Sequence, residues 1–262
     1  MLSERKGPAA SVAANSCTLN MNDTEQPKPK PKKFYRLAAA RPEGDAFAVT
    51  LDGRVAKSPS GKPLAVPTAA LAELLAEEWN NQVELIDFNT MPATRLAFTA
   101  LDRAADAHQA LAAEVARYAG SDLLCYHAEA PEALAARQKD AWDPWLAWAD
   151  AALDIQLHVA AGIMHHPQPE ESLEKAARDA LALEDFALSG LAFATALYGS
   201  AVLAFAVMKG ALDAATAHEL SRLDEAFQEE RWGVDEEAAL RTAARAQEAC
   251  MIGAWFAALR QI

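Results

Sequence analysis

The sequence predicts an α+β protein: a small antiparallel β-rich N-terminal domain followed by a larger all-helical C-terminal domain. Three observations predict it. Alternating apolar residues broken by turn signals run from Phe34 to Val66, the pattern of short antiparallel strands. Beyond Pro92 the apolar spacing is helical and stays so to the end of the chain,. Between the two, Pro67-Thr68 opens a stretch whose leucines recur three and four apart, a helix that can cover so thin a meander. The expected boundaries are a basic tail over 1–33, the β-rich domain with one helix over 34–90, and a helical bundle over 91–262.

The tail ends in Pro27-Lys-Pro-Lys-Pro-Lys-Lys33. Alternating Pro and Lys favours an extended, self-repelling linker, so 1–33 is expected to be disordered. Phe34–Leu37 reads as a first strand and Ala46–Leu51 as a second. Asp52-Gly53 is a two-residue hairpin signal, because both turn positions want positive φ. Arg54–Lys57 returns, Ser58–Gly61 turns again, and Lys62–Val66 makes the last strand. The helix that follows carries Leu71, Leu74, Leu75 and the stem of Glu78 on one face, as far as Gln82. Val83–Asn89 reads as a strand or a crossing loop.

Leu96, Leu101, Leu111 and Val115 belong to one or two helices ending near Gly120. Pro131 opens a helix that runs past Trp142, Trp145 and Trp148, a stripe expected in the core. Pro144 is expected to kink or split it. Gln156–Val159 reads as a stray strand. Phe186–Met208 has no charge and is long enough for a bilayer,. It nevertheless holds Ser189, Gly190, Thr195, Gly199 and Ser200, which favours a buried bundle helix and no stable membrane insertion. Two helices close the chain: one over 220–237, the other from Asp235 to Leu259, burying Leu240, Ala244, Cys250, Met251 and Trp255.

Charge narrows the partners. The net charge is −13, with +3 on the first 33 residues and therefore −16 on the rest. A body that acidic repels phosphate backbones, so no nucleic-acid partner is expected. Cys17, Cys125 and Cys250 are far apart and form no C-x-x-C. A disulfide framework is excluded and a reducing compartment fits. No secretory h-region or Arg-rich, acid-poor presequence is read at the start. The expected location is a bacterial cytoplasm, or the mitochondrial matrix if the source is eukaryotic.

The sequence nominates no chemistry. There is no phosphate-cradling glycine motif and no G-x-S-x-G elbow. His218-Glu219 begins an H-E-x-x-H, but Arg222 stands where the second ligand should be. His165-His166 lies in a proline-rich loop, where adjacent side chains point apart. No Asp or Glu stands isolated in an apolar run as a raised-pKa acid would. No catalytic residue, cofactor or metal is expected.

One stretch stands out instead. Read as a helix over 220–237, Leu220, Leu223, Phe227 and Val234 share one stripe. Ser221, Glu225, Gln228, Trp232 and Glu236 lie opposite. A tryptophan among carboxylates needs cover, from another domain, from another protein, or from an intramolecular groove.

Several motifs, in order, resemble a known family. They are Glu78-Trp79, Met91-Pro-Ala-Thr-Arg-Leu96, Ser121-Asp-Leu-Leu-Cys-Tyr126, Trp142-Asp-Pro144 with Trp148-Ala149, and Leu220-Ser-Arg-Leu-Asp-Glu225 with Gln228, Trp232-Gly233 and Glu236-Glu237. Together they resemble the assembly chaperone family of the F-type ATP synthase, over about residues 34–260. The resemblance implies a β-rich domain before a helical one, and neither catalysis nor a cofactor. It implies a protein client, the ATP synthase alpha subunit, held before it pairs with the beta subunit so that it does not aggregate. The chain itself is expected to be a monomer. It carries partner-binding residues onto Trp79, Glu225, Gln228, Trp232, Gly233 and Glu236, to which the face above adds Ser221. Glu229 and Ala226 depart from the family pattern. The alternative is an enzyme or small-molecule-binding protein using a groove between the domains.

Overall fold

The computed structural model describes residues 30–162, 164 and 166–260. The tail expectation for residues 1–29, Cys17 and His165 lie outside them. Residues 31–262 form one compact unit.

The sheet grows from one central strand. β1 (Ala38–Glu43) and β2 (Ala46–Leu51) pair antiparallel, from Ala38 opposite Leu51 to Glu43 opposite Ala46. On the other side of β2, β3 (Arg54–Val55) takes the Thr50–Leu51 end and β4 (Ala65–Val66) the Phe47–Ala48 end. The hairpin is the expected one: Asp52 has φ 48° and Gly53 φ 81°, as a tight turn between twisted strands requires.

The first strand is shifted, because Phe34–Leu37 is not a strand. The Asp52 carboxylate accepts the backbone N–H of Arg36 at 3.1 Å and of Leu37 at 3.0 Å. These donors are tied to the turn instead of to a ladder. Val83–Asp87 is a crossing loop, joined to the incoming chain by an isolated bridge between Lys32 and Leu85.

α1 (Ala69–Asn80) is capped by Thr68, whose hydroxyl accepts from Leu71 N. Leu71, Leu75 and Trp79, four apart, are buried. Tyr35 closes over this end: its hydroxyl donates to the Trp79 carbonyl at 2.6 Å. Burial pushes the Tyr35 phenol up to about 12. α2 (Pro92–Thr99), a π-helical turn (Ala100–Ala104) and α3 (Ala105–Ala119) follow as one helical run. It ends at Gly120, as expected.

α4 (Glu132–Leu153) passes through Pro144 without splitting. A proline removes one helical hydrogen bond, but Trp142 and Leu146 are buried on either side of it. The Trp142 indole also donates to the Leu220 carbonyl at 3.0 Å. Tertiary packing holds the helix across the defect. Trp142 is in the core as expected, and Trp145 and Trp148 pack partly buried against it. The stray strand falls later than Gln156–Val159: β6 (Ala160–Ala161) pairs parallel with β5 (Tyr126–His127).

α5 (Glu170–Leu181) precedes the uncharged segment, which is two buried helices rather than one. α6 (Asp185–Tyr198) stops at Gly199, with φ 64°, and Ser200 caps α7 (Ala201–Lys209) by accepting from Leu203 N. A left-handed glycine followed by a serine cap is a helix stop and start in adjacent residues. No helix of the described residues is long and apolar enough to cross a membrane.

The 220–237 stretch is not one helix. α8 (Ala214–Ser221) ends, Arg222 leaves helical geometry at φ −117°, ψ 23°, and α9 (Leu223–Trp232) begins. α10 (Glu236–Leu259) then runs to the end. Its second half is buried through Ala249, Met251, Ile252, Trp255 and Phe256. Its first half is not: Leu240 is 73% exposed, and Ala244 and Cys250 are exposed as well. Helical spacing marks which residues share a face, but not how far the neighbouring helices extend to cover it.

The core is one cluster, running from Tyr35 and the sheet residue Val49 through Trp79 to Trp142, Tyr198 and Trp255. α1 packs on the sheet and also on α2 and α10. The change from strand to helix near residue 91 is thus a change of element type within one unit.

Candidate functional site

The site is built around the end of α9. Leu223 and Phe227 are buried and anchor one side of the helix. Three polar contacts hold it in place. Gln138, buried in α4, donates to Asp224 at 2.6 Å and accepts from Ala128 N at 2.6 Å. Arg137 pairs with Glu230 at 2.8 Å. Arg222 clasps Glu229 at 2.6 Å, one element start to the next turn but one. The first two fix α9 against α4, the third ties its start to its second turn, and the tip is left outside.

At that tip Trp232 is 78% exposed. Gly233 ends the helix at φ 86°, ψ 169°, a region that essentially only glycine occupies. Val234 follows, also exposed, and Asp235 caps α10 by accepting from Ala238 N at 3.0 Å. Trp232, Val234 and Leu240 therefore stand in water along α9, its turn and the first half of α10. Glu225 and Gln228 on α9 and Glu236 on α10 are exposed too. Neither Glu225 nor Glu236 is in an ion pair among the described residues.

The expected site residues thus divide. Glu225, Gln228 and Trp232 share α9, and Glu236 opens the next helix instead of continuing the same face. Ser221 closes α8, half-buried, and its hydroxyl donates back to the His218 carbonyl at 2.8 Å. Such a local bond competes with helix continuation. Trp79 is not on this surface. It is 4% exposed and packs edge-on against Tyr35 and Phe88, with centroids 5.7 and 5.9 Å apart. Its spacing from Leu71 and Leu75 signalled this, outweighing its polar sequence neighbours.

Other motif residues prove to be struts. The Glu78 carboxylate accepts from Ala93 N at 2.8 Å and Thr94 N at 2.7 Å, capping α2, where Met91 offers no side-chain cap. Burial raises the Glu78 pKa, and these N–H groups pull it partly back.

Asp122 corrects the expectation that no carboxyl is isolated in an apolar setting. It is fully buried, and desolvation raises it to about 6 against the Ser200, Leu124 and Val202 hydrogen bonds. Its oxygens accept from Leu124 N and Val202 N, both at 3.1 Å. The acid straps the Leu123–Cys125 turn to the start of α7. An Asp directly before an apolar run is an N-cap signal, and that signal was available in Ser121-Asp122-Leu123. Cys125 lies beside it, fully buried, its thiol pushed far up by desolvation.

Among the described residues, no cluster of His, Cys, Asp and Glu could hold a metal ion. His218 is buried, and its pKa is lowered first by desolvation and then by Arg222 and Arg245.

Exposed apolar side chains beside exposed acids on a braced helix are the kind of surface through which one protein holds another,. Comparison with known proteins agrees. The model of the ATP12 chaperone protein family matches residues 32–150. The crystal structure of Atp12 from Paracoccus denitrificans superposes with a TM-score of 0.81 at 40% identity, covering 87% of this chain and 97% of that one. A point mutant of P. denitrificans Atp12p gives 0.79 at 41% identity, covering 86% and 96%. Protein atp12, mitochondrial, of Schizosaccharomyces pombe is 28% identical over 224 residues, or 81% of this chain and 77% of that protein. The chain belongs to the ATP12 chaperone family, the ATP synthase assembly chaperones that its motifs resemble.

Proposed function

We propose that this protein binds the alpha subunit of the ATP synthase catalytic sector before it pairs with the beta subunit, and keeps it from aggregating. The observation that carries the reading is Trp232, 78% exposed at the end of a braced helix. An indole in that position is an anchor awaiting a partner. Val234 and Leu240 extend its apolar area, and Glu225, Gln228 and Glu236 supply a polar rim that selects and orients a basic or hydrogen-bonding client surface. Trp79 acts from inside, by setting the packing of α1 under the sheet. The work is binding as a monomer, with no catalytic step and no cofactor, in a bacterial cytoplasm or a mitochondrial matrix.

The test is the Trp232→Ala variant. Interface aromatics of this kind carry about 2 kcal/mol, or roughly thirty-fold in Kd. Affinity for purified alpha subunit should fall by that factor while the circular dichroism spectrum and melting point stay put. A folded variant that still suppresses alpha-subunit aggregation at wild-type ratios defeats the assignment of this face.

A further inference from the structure

Positive charge in this acidic protein concentrates on the small sheet. Residues 32–62 hold seven Lys/Arg against three Asp/Glu, while 63–262 hold thirteen against thirty-one. A cavity of about 690 Å³ opens in the basic region. Phe34, Tyr35, Trp79 and Phe88 form its aromatic lining, and Arg54 and Lys57 line it as well.

Three features of this lining have no explanation inside the fold. Phe34 is 73% exposed. The Trp79 indole N–H is buried without an acceptor among the described residues, although buried donors are nearly always paired. Arg54 and Lys57 are exposed, and among the described residues neither side chain has a partner. The neighbouring charges are already engaged. Lys33 donates to the Gln82 carbonyl at 2.7 Å and stacks on Tyr35. The Asp52 carboxylate is taken up by the N–H groups of Arg36 and Leu37.

We propose that this cavity docks an extended segment of a protein client in which a large apolar side chain is flanked by carboxylates. The aromatic wall takes the apolar side chain. The free cations at Arg54 and Lys57 take the carboxylates, with the charge-assisted bonds that pairing gives. A basic segment would meet like charge here, and a nucleic acid would meet the net charge of −13 on the chain,. The site shares no residue with the Trp232 surface. It rests on the preceding reading only in taking its occupant to be a protein client.

The experiment uses the full chain and a fluorescein-labelled peptide built on Glu-Leu-Phe-Glu, followed by fluorescence anisotropy. A control peptide carries Lys for every Glu. The acidic peptide should bind, weaken in high salt, and lose roughly tenfold or more in affinity in the R54E/K57E double variant. Phe34→Ser should weaken it too. These side chains are exposed, so the variants should keep the wild-type circular dichroism. Trp232→Ala should bind the peptide as wild type does. No binding up to about 1 mM, equal binding of the Lys peptide, or an unchanged R54E/K57E affinity overturns the proposal. Loss of peptide binding in Trp232→Ala moves the contact to the other surface and overturns it as well. A Trp232→Ala protein that binds peptide normally and still protects alpha subunit sinks only the earlier reading.

Discussion

The Glu78 carboxylate, on the last turns of α1, accepts the backbone N–H of Thr94 at 2.7 Å at the opening of α2. It accepts Ala93 N as well, at 2.8 Å. One acid thereby supplies the cap that the Met91-Pro92 start lacks, and it locks the helix under the sheet to the first helix of the bundle. Glu78→Ala should lower stability by about 1–2 kcal/mol, the usual cost of a lost N-cap, and Glu78→Gln by less, since one amide oxygen can still accept. Urea unfolding of the two variants measures the difference.

Asp122 should tilt stability against pH. Its folded pKa, about 6, stands above the ordinary 3.8. Between those values the folded state holds the proton and the unfolded state does not, so Asp122 makes stability fall as pH rises across that window. In Asp122→Asn that component of the slope should vanish. Melting temperatures of both proteins from pH 3.5 to 7 test it; parallel curves would contradict the assignment.

His218 works in the opposite sense. Its folded pKa is lowered from 6.5 by burial, with Arg222 and Arg245 adding to it and Glu219 and Glu225 opposing. Its contribution is complete above 6.5 and is lost as pH falls through the folded value. Neither ring nitrogen has a partner among the described residues. His218→Leu should therefore be near neutral or stabilising at pH 7, and it should resist acid better than wild type as pH falls below 6.5,.

Gly190 lies where α6 packs closely against α10. A Cβ there would lie 2.7 Å from the Trp255 indole nitrogen and 2.9 Å from the Phe256 ring. That nitrogen donates to the Phe186 carbonyl at 3.2 Å. Gly190→Ala should cost about 1–3 kcal/mol through overpacking, seen as a lower urea midpoint with an unchanged slope.

Much of this architecture is legible in single stretches of chain. The Asp52-Gly53 turn, the Thr68 cap and the end of the third helix at Gly120 stand where local chemistry puts them. The family motifs are legible as a set, yet most are struts. Glu78 reaches the start of the next helix, while Asp122 and, outside the motifs, Gln138 reach partners 80 and 86 residues along the chain, and no spacing rule announces a partner so distant.

The sequence by itself determined the fold class, the acidic body, and a tryptophan set among acids that needs cover, because turn preference, periodicity and charge are properties of short segments. Only the tertiary structure decided that Pro144 would not split its helix, that Trp232 would find no cover within the chain, and that Leu240 would stay in water. Burial depends on whether another part of the chain arrives to cover a face, and that is settled by the packing of distant helices rather than by the residues of the face.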